Sequence, residues 1–468
     1  MTKASKVGLF LLFGTVALTS VGLFAQESEK SAPIIYSSLE GRLWVEKCVA
    51  KHPEILWLAD ANVRKTEEGQ ATSQGPYSEQ LFGQKFVEFD RTIMTLHCLK
   101  LILDGSDKAY ATFTAAQPKD AKLSRESFRT LHEQGQALLK SKWEGLSEQQ
   151  MAEAMETALV LGDMGKSGKA RELFKPFGVT APDQDDFYGE AMHIVEKHPE
   201  LCPSFARLPA PTKKLLVEIA NLAHYGHVYH LEGGTGIFNK LKESKIPHND
   251  PVALSFDLFV HTCDVAGAQG HVNKDSCVVY TESTHNAMQA MGHSVRVLSD
   301  PNKSEMDAYN DYVATRSSWL GLNPQDEGDR VLTRIGAMLR LFTPEEGAIL
   351  KKAMGQLDAS KIAAQLDVKK GDQPGRTPTY MPAVLVNLSN NPMLGSTKEE
   401  RLSNAITMGL PFIARVLEKH KEMLAKHEVD ANIPLNFNKM AGVAKTAPES
   451  LKAEFAIDQE GNVFLTGK

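Results

Sequence analysis

The stretch Asn249–Ala268, NDPVALSFDLFVHTCDVAGA, is the one whose reading decides the fold. Pro251 suits the first position of a helix, where no amide bond is lost, and Asn249 or Asp250 ahead of it suits the cap. From Val252 to Ala268 the apolar residues Val252, Ala253, Leu254, Phe256, Leu258, Phe259, Val260, Cys263, Val265 and Ala266 cover nearly the whole circumference of such a helix. A helix apolar all round is enclosed by other elements. The main polar exception is a narrow stripe, Asp257, His261 and Asp264, spaced i, i+4, i+7.

Outward from this helix the same period continues. Ser124–Lys140 reads as a helix, and SEQQMAEAMETALVLGDMG (147–165) opens on Ser147 with Gln150 three positions on, a capping box. Alternating strand patterns are almost absent, apart from one short β-like stretch, AVLVNL (383–388), so the chain is expected to be all-α and multi-helical. Gly, Pro and polar residues gather at 66–80, 175–186 and 367–382, which predicts three helical blocks over about 33–175, 185–345 and 380–468, the last with a long charged helix near Ile413–His427. Four residues recur, Lys51-His52-Pro53-Glu54 and Lys197-His198-Pro199-Glu200, too few for a repeat array.

The N-terminus carries Lys3 and Lys6 and then VGLFLLFGTVALTSVGLFA up to Ala25, the pattern of a secretory signal peptide over residues 1–25. An uncleaved anchor is the alternative, and in both cases the bulk of the chain is expected to be exported, periplasmic or secreted. No later stretch suggests a transmembrane segment. A formal charge of −6 with scattered Lys and Arg argues against a nucleic-acid partner. Five cysteines, Cys48, Cys98, Cys202, Cys263 and Cys277, stand outside any CxxC; Cys48 and Cys98 could staple two helices, Cys263 and Cys277 flank the histidine-rich segment, and an odd count leaves one thiol unpaired.

Eight of the fifteen histidines fall between His224 and His293, a density that points to a site needing imidazole. Two buried carboxylates without an opposite charge, a metal or a set of donors would be prohibitive. The stripe therefore either faces solvent or holds a divalent ion, and zinc, manganese and iron all take His and Asp ligands. On a helix drawn from Lys213 to His230, His230 falls in the buried arc, His227 at its edge and His224 on the opposite side, so His227 and His230 are the candidate ligands from that element. His271, in the glycine-bracketed turn GAQGHVN, could reach back as a catalytic acid, and Asp257 could orient His261. His285 reads as part of a solvated face, His293 as a helix-end cap. Asp307 and Asp311, in EMDAYNDYVATRSSWL, could each supply a late carboxylate.

LFVHTCDVAG (258–267) resembles the core helix of the HD-domain superfamily, all-helical metal-dependent phosphohydrolases. The resemblance spans the histidine-rich middle block only. It implies that His227 or His230 matches the family's early His, that His261 and Asp264 match its central motif, here separated by Thr262 and Cys263, and that Asp307 or Asp311 matches its late Asp. The expectation is an exported phosphoesterase with a metal held by His227, His230, His261, Asp264 and Asp311, acting on a small-molecule substrate. The alternative is a non-catalytic exported helical binding or scaffold protein. No GxSxG and no P-loop occurs.

Overall fold

The computed structural model describes residues 39–59, 75–222, 225–367 and 377–466. The signal-peptide expectation for residues 1–25 lies outside them, as does His224. Among the described residues the protein is all-α, with helices from Leu39–Lys51 to Asn438–Thr446 and a single two-stranded antiparallel hairpin, Phe455–Ile457 with Val463–Leu465. None of these helices is long and apolar enough to cross a membrane.

The central helix runs Pro251–Gly267. Asp250 caps it by accepting from Ala253 N at 2.9 Å, and the Trp143 indole holds the same carboxylate. It packs along Val87–Asp104, another largely buried helix. The two approach closely because Gly267 has no side chain: a Cβ there would fall against Thr95 Oγ1 and the Thr95 main chain. Side-chain caps start several other helices too, among them the one that the sequence places after Ser147, whereas Val87–Asp104, Ala210–Ile219 and Glu282–Arg296 begin without one. Ser147 with Gln150 closes a capping box, and so do Ser304 with Asp307, Thr343 with Glu346 and Thr397 with Glu400.

Two expected elements differ. AVLVNL is not a strand but the middle of a helix, Met381–Ser389, and its buried residues Met381, Val384, Leu385 and Leu388 follow the helical spacing, so burial overrides the β propensity of the valines. The helix expected over 213–230 is two helices, Ala210–Ile219 and Tyr225–Tyr229. Asn221 explains the break. Its side-chain amide donates to the Val217 carbonyl at 3.2 Å, taking the acceptor that the next helical amide would have used.

The buried apolar residues form two cores. The first runs from Val45 to Val313 with Ala337 added, and so joins the first two blocks of the sequence reading across 175–186. The second begins at Leu320 and ends at Val463. Between them lies the helix Glu327–Met338, whose fully buried Arg334 donates to the carbonyls of Leu231, at 2.7 Å, and of Glu232 on one side and of Leu366, at 2.9 Å, on the other.

Candidate functional site

Asp257, His261 and Asp264 are partly exposed, and with Val260 they line one cleft of about 700 Å³. Each wall has a local cause. Asn221 ends one helix so that Tyr225 and His227 can turn toward the central helix. Gly165 lets the turn Met164–Lys166 sit against the main chain of Gln184, where a Cβ would collide, and this brings Asp163 and Lys166 beside the start of Gln184–Lys197. Thr379 N donates to Leu435 O at 2.8 Å and Phe437 N to Thr379 O at 2.9 Å, which holds Thr377, Thr379 and Pro434 as the far wall.

The stripe's carboxylates find different partners. Asp257 accepts from the Tyr225 hydroxyl at 2.7 Å. Burial nevertheless outweighs that bond and pushes its pKa up to about 7. Asp264 is also raised, by burial first and then by Asp163, while Lys166 and Arg91 pull the other way. These two cations belong to a compact ion cluster: Lys166 Nζ lies 2.5 Å from Asp163 and 3.1 Å from Glu88, and Arg91 lies 3.0 Å from Glu88. Burial disfavours the charges of Asp163 and Lys166, but each is the other's strongest counter-charge, so Asp163 is held below and Lys166 above its ordinary pKa. His261 stacks at a tilt on Tyr225, ring centroids 5.4 Å apart.

Of the other expected site residues, only His227 reaches the cleft. It pairs with Glu232 at 2.9 Å; burial opposes its charge, but this bond, with Asp185 and Asp183 further out, raises its pKa. His230 points the other way, donating to Ala337 O at 3.4 Å, and burial lowers its pKa to about 3. His271 does not line the cleft; it lies near Arg91 and Glu88 at the back of the ion cluster. Asp311 accepts from Ser294 Oγ at 2.6 Å, and Asp307 is spent on its own capping box. His285 is buried against Tyr280, not solvated. Among the described residues no three His, Cys, Asp or Glu side chains converge closely enough to hold a metal ion. The positive charge beside Asp264 comes instead from Lys166 and Arg91, which the sequence reading did not single out. The only signal for Lys166 was GDMGK (162–166), an acid between two glycines and then a base at the end of a strong helix, and Arg91 carried none.

A second constellation lies elsewhere. His52 bridges Ser204 Oγ at 3.0 Å and Glu156 at 3.0 Å, the connectivity of Ser-His-acid chemistry. Ser204, however, donates its hydroxyl to Glu54 at 2.5 Å, and Ser204 and His52 are only 1% and 2% exposed. With the nucleophile's proton already committed and no route for substrate, this group ties the chain's first described helix to the rest.

Fold and cleft together define an all-helical protein with a carboxylate-rich cavity beside its central helix. The chain belongs to the family described as "Family of unknown function (DUF6829)", whose model matches residues 50–445. No curated protein and no solved structure matches it.

Proposed function

We propose that the protein is an exported hydrolase whose cleft takes a small polar substrate of positive or zero net charge, with Asp257 and Asp264 sharing acid and base roles about His261. The observation that carries this reading is the placement of all three stripe residues in one cleft of substrate size. Seven carboxylates line that cleft, Asp163, Asp183, Asp185, Asp186, Glu190, Asp257 and Asp264, against two lysines, Lys166 and Lys240. Such a field repels a phosphate ester and attracts a cation or tolerates a neutral polyol.

An aspartate titrating near 7 holds its proton in a fraction of molecules at neutral pH, so Asp257 can donate to a leaving atom. Asp264, two turns along the same face and within reach of Lys166 and Arg91, is the carboxylate left to draw a proton from water. The two Cα atoms stand about 10 Å apart along the axis, room for a substrate and a water between them. The metal-dependent phosphoesterase implied by the HD-domain resemblance is a second proposal. It is favoured by one observation, that His227, His261 and Asp264 share the cleft, but the side chains described do not form a ligand set and no step is derived through a metal.

Thermal-shift screening separates the two readings. A diamine, a neutral sugar and a phosphate monoester are each tested with and without zinc or manganese, on the parent and on Asp257→Asn and Asp264→Asn, and the ligands that bind are then assayed for hydrolysis. The acid–base reading expects the amine or the sugar to stabilise the parent without metal, and turnover to drop at least about 100-fold in either variant. Stabilisation by the phosphate ester alone, and only with metal, would replace it with the phosphoesterase.

A further inference from the structure

We propose that a second cavity, on the opposite side of the central helix from the acidic cleft, binds an aliphatic carboxylate whose headgroup is held by Arg296. Asp257, Val260, His261 and Asp264 line the acidic cleft, whereas Ser255, Leu258, Phe259 and Thr262, at the same spacing on the other face of the helix, line a separate cavity of about 360 Å³. Arg125–Lys140 and Glu282–Arg296 supply its other walls. That volume is at the lower end for small-molecule sites.

The lining selects the ligand. Leu138, Val252, Leu258, Phe259, Met288 and Met291 make the body of the cavity apolar, and the two methionines can adapt to the shape of a chain. The hydroxyls are already spent: Ser141 Oγ donates to Leu138 O at 2.8 Å, Ser255 Oγ to Pro251 O at 2.8 Å and Thr262 Oγ1 to Leu258 O at 2.9 Å. Gln134 Nε2 donates to Gln289 Oε1 at 2.8 Å, so the two amides hold each other. A sugar would find few partners here. Arg296 is the one charged residue of the lining, and no aspartate or glutamate balances it there. Gly292 gives it room: a Cβ at that position would stand 3.1 Å from Arg296 Nη1 and 3.8 Å from Leu258 Cδ1, so the guanidinium lies over the glycine, beside the apolar floor. Among the described residues no carboxylate forms an ion pair with it. An aliphatic chain in the cavity and a carboxylate on the guanidinium satisfy both halves of the site, and arginine presents the planar donor fork that a carboxylate accepts from.

Equilibrium dialysis of the full-length chain against octanoate, octanol and acetate tests this. Octanoate should bind at one site per chain, more tightly than octanol, which has the chain without the charge. Acetate, with the charge but almost no chain, should bind at least about 100-fold more weakly. Arg296→Gln should weaken octanoate at least about tenfold, as loss of a hydrogen bond to a charged group does, and leave octanol unchanged. Arg296 is exposed, so its replacement is compatible with folding, and retained octanol binding shows that the cavity is intact. Asp257→Asn, in the acidic cleft, should leave the affinity for octanoate as it is, which keeps this site distinct from the proposed hydrolase centre. No octanoate binding, acetate bound as tightly as octanoate, or an Arg296→Gln variant that keeps octanoate or loses both probes equally would overturn the proposal. Loss of octanoate in Asp257→Asn would assign the ligand to the cleft and overturn it as well.

Discussion

Asp257 carries an unusual obligation for a surface-connected aspartate. Its folded pKa of about 7 lies above the roughly 4 of an unfolded aspartate. Between those values the folded protein keeps a proton that the unfolded chain has shed, so stability falls as pH rises. The contribution is complete below about pH 4 and gone above about pH 7, a loss of the order of a few kcal/mol. Asp257→Asn, similar in shape and never charged, should therefore match the parent in acid and exceed it at neutral pH. Urea midpoints of both proteins across that interval check this, and parallel curves would show that Asp257 does not titrate there. At this scale the stripe could be read from sequence because a single helix supplies all three members at fixed spacing. His230 and His271 could not, since their facing depends on a helix break at Asn221 and on a neighbour, Arg91, far away in the chain. Asp163 and Lys166 escaped notice for the same reason: their partners Glu88 and Arg91 belong to another helix.

Two helix starts could be read, after Ser147 and after Asp250, because a cap and its partner lie within four residues, whereas the long helix expected near Ile413–His427 runs Lys398–Ala425. The strand expected at AVLVNL failed because a run of apolar residues has no period of its own, and the helix that forms there is chosen by what it packs against. The true strands, Phe455–Ile457 and Val463–Leu465, are three residues each, too short to alternate. How closely two helices approach was likewise invisible in composition, yet it rests on one residue. Gly267→Ala would drive a methyl into Thr95 and force the central helix off Val87–Asp104. We expect a cost of about 3 kcal/mol, towards the upper end for overpacking, read by denaturant unfolding. A change below 0.5 kcal/mol, the range of an ordinary surface substitution, would mean that the helices separate without strain.

Two cores in one chain raise the question of what couples them, and Arg334 is the most direct tie. Replacing it by Met keeps volume but leaves the carbonyls of Leu231, Glu232 and Leu366 without their donor. Each orphaned buried carbonyl costs about 1–3 kcal/mol, so Arg334→Met should lower stability by several kcal/mol and split unfolding into two calorimetric transitions. One unchanged transition would show that the cores are joined elsewhere. Loops rich in Gly and Pro mark turns as readily as boundaries: residues on both sides of 175–186 share a core, while the second core begins at Leu320 inside a continuous run of helices. The recurrent Lys-His-Pro-Glu also belongs to this scale. Both copies end a helix and begin a 3-10 turn at the proline, and Ser204, just past the second, bonds Glu54 of the first, so the two turns brace one another.

Thr377, Thr379 and Pro434 come from the part of the chain that builds the second core, whereas Asp163 and Asp257 come from the first. A molecule lodged between them is gripped by both bodies, like a coin held between two fingers. Its residence time is then set by how often the seam gapes, and the exit rate should follow the cohesion of the two cores more closely than it follows any one contact inside the cleft.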